Sequence, residues 1–209
     1  MMVQVGAGSQ IPAVEVPGLT LEWVVAPDGW TYQDGVLAAT AAAGSDIFTP
    51  PLGGAPRVDA ARALSVGRPA GDWQFKARLR VGFRSAWDAG AIMVWSDDEH
   101  WAKLNFEYAP DGHPAIFSVV TRGRSDDAVG WRVGGEQLWL RISRLENAFA
   151  FHASEDGAHW RLVRQFALGE GASVRVGVEV QSPVGQGCEV VFDEISFAPE
   201  RLADLFDGS

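Results

Sequence analysis

The side chains best suited to bind a ligand lie in the middle of the chain, where polar groups alternate with aromatic ones. Trp95 and Trp101 offer apolar ring faces, and Lys103, Asn105 and Glu107 follow at every second position. Aromatic rings stack against the C–H faces of sugars, while ammonium, amide and carboxylate groups hydrogen-bond to hydroxyls. This combination predicts a carbohydrate-binding surface.

Two turns predict which residues of this segment share a face, because the loop of a hairpin sets its register. A turn centred on Asp98 pairs Trp95 with Trp101, Met93 with Lys103, Ala91 with Asn105 and Ala89 with Glu107. A turn near Asp111 and Gly112 pairs Glu107 with Ile116, Asn105 with Ser118, Lys103 with Val120 and Trp101 with Arg122. The mixed surface then consists of Trp95, Trp101, Met93, Lys103, Asn105, Glu107, Ser118 and Arg122. The opposite face is predicted core and carries Ala102, Leu104, Phe106, Tyr108, Ala115, Phe117 and Val119.

On this register we predict a binding role for each side chain of the mixed surface except Met93. Trp95 and Trp101 would stack on the sugar, and the polar members would hydrogen-bond to it: Lys103, Asn105, Glu107, Ser118 and Arg122. Arg141 is a further candidate, with structural pairing to Asp193 or Asp126 as its alternative. A second interpretation of the whole surface is an open sheet face with a Lys103–Glu107 salt bridge, which contributes only about 0–1 kcal/mol when exposed.

Glycoside hydrolysis is the catalytic alternative. It needs two carboxyl groups about 5–5.5 Å apart for retention or about 6.5–9.5 Å apart for inversion. Glu107 is one candidate, and Glu179, on the polar face of another strand, is the second. A weak glycoside hydrolase therefore stays open beside a non-catalytic binding module.

Metal and thiol chemistry have little support in the sequence. The four histidines are scattered, and the single cysteine, Cys188, excludes both an intrachain disulfide and a multi-cysteine zinc site. We expect no cofactor. Calcium at the acidic turns 97–99 or 126–127 is the alternative, although such acids are usually just solvated.

The segments that must position these groups are strands. Alternation with period two recurs along the chain, and turn residues such as Asp156-Gly157 separate the segments. Strands are predicted at 19–25, 35–41, 72–81, 89–95, 100–108, 115–121, 137–144, 148–154, 160–167, 174–180 and 188–198. This spacing is typical of a β-sandwich. We predict an irregular arm over 1–18, one domain over 19–198 and a short C-terminal helix in the tail 199–209, started by Pro199.

Length, charge and hydropathy limit the function classes. The 209 residues carry 17 Lys plus Arg against 27 Asp plus Glu, a formal net charge of −10. This balance argues against nucleic acid or an anionic membrane as the main partner. The first residues have no basic and apolar leader pattern, and no run reaches the roughly 20 apolar residues of a membrane helix. We therefore expect a cytoplasmic protein.

Several short motifs in the order found here resemble a domain family of unknown function that includes the yeast regulation-of-enolase protein. The similar pieces are Ser45-Asp-Ile-Phe48, Gly71-Asp-Trp73, Trp87-Asp-Ala-Gly90, Trp101-Ala-Lys103, Glu107, Ser118-Val-Val-Thr121, Ser125-Asp126, Leu138-Trp-Leu-Arg141, Arg144, Ser182-Pro183 and Phe192-Asp193. The family belongs to the concanavalin A-like lectin/glucanase superfamily, and the resemblance also extends to the C-terminal sandwich of some β-xylosidases. It implies an all-β jelly-roll sandwich of two antiparallel sheets.

The resemblance implies a carbohydrate site on the concave sheet. The Glu-x-Asp-x-Glu strand pattern of catalytic glucanases in that superfamily is absent from this sequence. The leading hypothesis is therefore a non-catalytic, lectin-like carbohydrate-binding module with a carbohydrate or small polar ligand as partner. The alternative is a cytoplasmic protein-interaction or regulatory module of carbohydrate metabolism, whose partner would be a metabolic enzyme.

Overall fold

Two large antiparallel sheets form a β-sandwich in the computed structural model, which describes residues 13–209. The eight-stranded sheet contains, in spatial order, β1 (Ala13–Val16), β2 (Leu19–Val25), β7 (Ala61–Ser65), β16 (Arg175–Gln181), β9 (Ala89–Asp97), β10 (His100–Tyr108), β11 (Pro114–Arg122) and β12 (Ser125–Arg132). The seven-stranded sheet contains β15 (Arg161–Phe166), β14 (Ala148–Ser154), β13 (Gln137–Leu145), β8 (Trp73–Val81), β17 (Glu189–Ala198), β4 (Val36–Thr40) and β3 (Gly29–Gln33). A small hairpin joins β5 (Ile47–Phe48) to β6 (Arg57–Val58). The predicted all-β jelly-roll class is confirmed.

The main core lies between the two sheets and follows directly from the alternation in the sequence. In β8, Trp73, Phe75 and Leu79 are fully buried, while Lys76 faces away from the core. Leu104 and Phe106 of β10 belong to the same cluster from the opposite sheet. Each fully buried side chain of this size contributes about 1.5–3 kcal/mol of transfer free energy, so the sandwich needs no disulfide.

The eight-stranded sheet is also covered on part of its outer face, the face turned away from this core. The β5–β6 hairpin brings Phe48 and Val58 over a second apolar cluster on that face. The buried members of this cluster are Ile47, Ala60, Leu64, Met93, Trp95, Trp101 and Val119. Strands β9, β10 and β11 are consequently buried on both faces along most of their length.

Two predicted features of the chain ends differ from the structure. The C-terminal helix is wrong, because residues 199–209 form turns that lie on the seven-stranded sheet instead. Ala13–Val16, from the predicted irregular arm, form strand β1 and pair with β2. Residues 1–12 of that arm lie outside the described residues.

The sequence pattern does not predict several strands that are short or exposed. Strands β3, β5, β6, β7 and β12 were not predicted. Strand β7 is only five residues long and buried on both faces, so it shows no alternation, and β12 is an exposed edge strand rich in acids. Among the described residues, no helix has the length and hydropathy needed to cross a bilayer.

Candidate ligand-binding cleft

A cleft of about 320 Å³ opens on the outer face of the eight-stranded sheet, beside the β5–β6 hairpin. Its polar lining comes from four different parts of the fold, and apolar side chains complete the walls. The lining residues are Asp46, Phe48, Arg57, Trp87, Lys103, Asn105, Glu107, Val119, Asp127, Gln181, Pro183 and Val184. The volume is within the range of sites for small ligands.

Small side chains in the central strand β9 create the space for this cleft. Ala91 lies between Glu179 of β16 and Asn105 of β10 in the cross-strand register, and Ala89 lies between Gln181 and Glu107. The long polar side chains of both neighbouring strands therefore meet above two methyl groups. A larger residue at either alanine would fill the floor of the cleft.

The polar groups on the floor form one hydrogen-bonded network. The side-chain amide of Asn105 donates to Glu107 Oε2 at 2.7 Å, and Gln181 Nε2 lies 3.4 Å from the same oxygen. Gln181 Nε2 also donates to the main-chain carbonyl of Trp87, and Gln181 Oε1 accepts a hydrogen bond from Lys103 Nζ. These contacts hold the side chains in one arrangement before any ligand arrives.

Lys103 is the central cation of the network. Its side chain is 2 % exposed, and Nζ lies 3.6 Å from Glu179 Oε1 and 3.8 Å from Asp46 Oδ1. Arg57 lies 4.0 Å from the other oxygen of Asp46. Burying a lysine at this depth is costly unless acids surround it, and Glu179 and Asp46 fulfil that role.

Burial raises the pKa of three carboxyl groups in and beneath the cleft, those of Glu107, Glu179 and Asp127. Glu107 has a pKa of about 8, because desolvation outweighs the hydrogen bond from Asn105 and the charge of Lys103. The pKa of Glu179 rises to about 7 for the same main reason, and Lys103 opposes that rise. Desolvation also raises the pKa of Asp127, which remains accessible at the rim. A carboxyl group with a pKa near neutrality can donate or accept a hydrogen bond at physiological pH.

Trp87 supplies an aromatic surface at the edge of the cleft, and its backbone is strained. Its φ angle is +70°, a region that bulky residues rarely occupy and that often marks functional sites. Buried Asp88 holds this loop by accepting hydrogen bonds from the main-chain N–H groups of Arg84 and Ser85 and from the Ser182 hydroxyl. The loop is therefore fixed in a conformation that presents the Trp87 ring.

The two predicted stacking residues are in a different place. Trp95 and Trp101 stack on each other, with ring centroids 6.1 Å apart, inside the second apolar cluster. Trp101 is completely buried, and Arg62 covers the ring of Trp95. Neither residue lines the cleft, so neither ring is free to stack on a sugar in this structure.

The first predicted register is confirmed, and the second is wrong by one residue. Trp95 pairs with Trp101, and Glu107 pairs with Ala89, as the turn at Asp98 required. In the next hairpin, however, Trp101 pairs with Thr121 and Glu107 pairs with Ala115. A shift of one residue moves a whole strand's side chains to the other face. The outer face therefore carries Ala115, Phe117, Val119 and Thr121.

Besides the two tryptophans, three predicted ligand-binding residues lie outside the cleft. Ser118 pairs with Leu104 and points into the sandwich. Arg122 is exposed at the end of β11 and donates to the carbonyl of Ala167. Arg141 lies on the seven-stranded sheet and donates to the carbonyl of Gly208. Lys103, Asn105 and Glu107 are the predicted residues that the structure brings together in the cleft.

The candidate catalytic pair is not arranged as two carboxyl groups facing one opening. Glu107 lines the cleft, whereas Glu179 is fully buried beneath Lys103 and is not part of the lining. No three His, Cys, Asp or Glu side chains of residues 13–209 are grouped as metal ligands would be. Calcium at the acidic turns stays a prediction.

Sequence reasoning missed several cleft residues, although some of them had a usable signal. Gln181 follows Glu179 on the polar face of the same alternating strand, and Trp87 and Asp46 occur in motifs of the family resemblance. Asp127 was considered only for calcium at the turn 126–127, because its strand β12 lacks a clear period that would place it on a face. Asp46 and Arg57 reach the cleft only through the β5–β6 hairpin.

Comparison with known proteins gives a family and a fold. The model of DUF1349, described as a family of proteins of unknown function, matches residues 23–200. The chain belongs to this family. Regulation of enolase protein 1 from Saccharomyces cerevisiae is 34 % identical over 138 residues, which are 65 % of this chain and 69 % of that protein.

Solved structures resemble this DUF1349 chain over most of its length. The crystal structure of a functionally unknown protein from Saccharomyces cerevisiae has a TM-score of 0.78 at 26 % identity, covering 86 % of this chain and 97 % of that one. The GH43 protein BlXynB from Bacillus licheniformis has a TM-score of 0.71 at 15 % identity. That match covers 86 % of this chain but only 37 % of BlXynB, and at this identity it shows the fold alone.

Proposed function

We propose that this protein is a non-catalytic carbohydrate-binding module that holds a monosaccharide or a short oligosaccharide in the cleft on the eight-stranded sheet. One observation carries the proposal: a cleft of about 320 Å³ combines a fixed indole ring with a preformed set of amide, ammonium and carboxyl groups. Sugar sites need an apolar face for the ring and placed polar groups for the hydroxyls.

Trp87, rather than the Trp95–Trp101 pair, is the aromatic platform in this proposal. Its edge contact with Phe117, at 5.8 Å between ring centroids, supports the ring from one side. The polar contacts come from Lys103, Asn105, Glu107 and Gln181, whose mutual hydrogen bonds fix their positions. Such preorganisation lowers the entropy cost of binding.

Trp87→Ala is the sharpest test of this proposal. The purified protein and the variant would be titrated with a panel of mono- and oligosaccharides by calorimetry, with their melting temperatures measured in parallel. We expect Trp87→Ala to weaken sugar binding at least tenfold, because stacking of a ring on an aromatic face is lost. The matched control is Trp30→Ala, which removes a half-buried indole from edge strand β3 of the other sheet and should leave affinity unchanged.

Sugar affinity that is equal in Trp87→Ala and in the unmodified protein would contradict the proposal. Hydrolysis would be checked in the same samples with aryl glycosides. Turnover that disappears in Glu107→Gln would establish the hydrolase alternative instead. We expect no turnover, because Glu179 lies beneath Lys103 rather than across the cleft from Glu107.

A regulatory protein-interaction module in the cytoplasm is the second candidate function. Its support is the 34 % identity to a protein named Regulation of enolase protein 1. The test is direct binding of purified enolase from the same organism to this chain, followed by size-exclusion chromatography. A stoichiometric complex that excess sugar does not displace would favour this candidate, and no complex at micromolar concentrations would oppose it.

A further inference from the structure

Each hydrogen-bond donor group on the floor of the cleft already has a partner within the protein. Lys103 Nζ donates a hydrogen bond to Gln181 Oε1 and is ion-paired with Glu179 at 3.6 Å and with Asp46 at 3.8 Å. The Asn105 amide N–H points to Glu107, and the Gln181 amide N–H points to Glu107 and to the main chain of Trp87. A ligand that reaches this floor therefore finds few free donors.

Free acceptors are present on the same floor. Asn105 is 1 % exposed, and its Oδ1 is fully buried with no hydrogen-bond partner among the described residues. The hydrogen bonds that Glu107 accepts both reach Oε2. Buried polar atoms without a partner are rare in folded proteins, so an unpartnered carbonyl at a cleft indicates a missing donor.

The carboxyl groups around the cleft also outnumber the cations that could pair with them. Lys103 and Arg57 are engaged with Glu179 and Asp46. Within residues 13–209, neither Glu107 nor Asp127 has a cationic side-chain nitrogen within 4.0 Å. Two carboxyl groups that line one cleft thus lack a cation of their own.

We infer that the cleft recognises a positively charged amino sugar, whose ammonium group lies at Glu107 and Asp127 and donates a hydrogen bond to Asn105 Oδ1. This inference rests on the proposed carbohydrate-binding function and names the class of sugar. An ammonium has three donors and no acceptor, which suits a site with unused acceptors. Charge-assisted hydrogen bonds are about twice as strong as neutral ones.

The protonation state of Glu107 couples binding to pH. The charged and titratable groups around it are Lys103 on its own strand, Glu179 on β16, Asp127 on β12, and Asp46 and Arg57 at the β5–β6 hairpin. Burial holds the pKa of Glu107 at about 8 in the empty cleft. A bound ammonium favours the carboxylate, so binding near pH 7 should release up to one proton from Glu107.

The first experiment compares three sugars that differ at one position: glucosamine, glucose and N-acetylglucosamine. Calorimetric titrations at pH 7 and constant ionic strength would be repeated in two buffers of different ionisation enthalpy, which gives the number of protons released. We expect glucosamine to bind at least tenfold more tightly than glucose, with proton release. N-Acetylglucosamine should resemble glucose, because acetylation removes the charge.

Two isosteric variants and a neighbouring control locate the ammonium. Glu107→Gln and Asp127→Asn should each reduce the preference for glucosamine over glucose about tenfold, and Glu107→Gln should abolish the proton release. Asp126→Asn is the control, since Asp126 pairs with Arg164 and does not line the cleft. It should preserve the preference. Melting temperatures verify that every variant is folded.

The outcomes separate this inference from the proposed function. If glucose binds as well as glucosamine, the inference fails and the carbohydrate function stands. If ethanolamine binds as tightly as glucosamine and glucose does not bind, the cleft recognises ammonium alone and the carbohydrate function fails. If Ca²⁺ alone raises the melting temperature and Glu107→Gln removes that shift, the acceptors serve a metal ion and the inference is overturned. If none of these ligands binds, both ideas fail.

Discussion

At the scale of the residue, the position of Glu107 determines its chemistry. The residue is 4 % exposed, and desolvation raises the pKa of its carboxyl group from the ordinary 4.5 to about 8. A carboxyl group that holds its proton more tightly when folded stabilises the folded state at low pH. This stabilisation is complete below about pH 4.5 and is lost as the pH rises through about 8.

The expected consequence is a pH-dependent difference between the protein and Glu107→Gln, whose amide cannot ionise. The variant should gain about 2–4 kcal/mol of unfolding free energy relative to the unmodified protein between pH 5 and pH 9, because each pKa unit corresponds to about 1.4 kcal/mol. Urea unfolding at both pH values measures it. Parallel pH profiles would show that Glu107 ionises in the folded state as easily as in water.

At the scale of the element, the C-terminal segment stabilises two buried polar side chains on the seven-stranded sheet, Arg141 and His152. Arg141 donates to the carbonyl of Gly208, His152 is hydrogen-bonded to the carbonyl of Leu205, and the Arg141 guanidinium lies 4.2 Å from the centroid of the Trp160 ring. Burial lowers the pKa of Arg141 to about 10. The segment therefore supplies acceptors that this buried cation needs.

Gly208→Val tests this contact, because a Cβ at Gly208 would lie 2.7 Å from the Trp160 Cβ. We expect the segment to detach, with a loss of about 1–3 kcal/mol from the unpartnered groups and faster tryptic cleavage after Arg201. Gly123→Val is the matched control: its φ of +73° equals the +72° of Gly208 within a degree, but nothing lies within 4 Å of its Cβ. If both variants lost the same unfolding free energy, backbone strain alone would explain the effect.

The strands themselves show how far sequence periodicity reaches. The predicted bounds of β2, β10 and β14 agree with the structure, because each of these segments carries a clear alternation or lies between distinct turns.

The register of the β10–β11 hairpin was missed because its loop, 109–113, has five residues and centres the pairing on Asp111. Within it, Ala109 N–H donates to the His113 carbonyl, and Gly112 adopts a φ of +82°. The predicted pairing was centred between Asp111 and Gly112, half a residue further along the chain. The types of the turn residues alone do not distinguish these two centres.

At the scale of the whole molecule, the last two strands occupy central places. Strand β16 lies between β7 and β9 in one sheet, and β17 lies between β8 and β4 in the other. Neither sheet is therefore complete until almost the whole chain is available. Such non-local pairing predicts one cooperative unfolding transition and slow folding, in milliseconds to seconds.

Truncation after Cys188 provides the test at this scale. The fragment lacks β17, which leaves the facing edges of β8 and β4 without a partner, and we expect it to show no cooperative thermal transition. Adding a peptide of residues 189–209 should restore the transition. A fragment that melts cooperatively by itself would show that the seven-stranded sheet tolerates the gap.

The sequence by itself determined eleven of the seventeen strands among the described residues, the sandwich class and the first hairpin register, because alternation and turn residues act over a few neighbouring positions. It also placed Lys103, Asn105 and Glu107 on one face. Only the tertiary structure decided that Trp95 and Trp101 are covered, since the β5–β6 hairpin that covers them is about 40 residues away along the chain. It likewise brought Trp87, Asp127 and Gln181 to the cleft from three separate strands or loops. Which aromatic ring remains open to a ligand depends on these long-range contacts, and no local pattern records them.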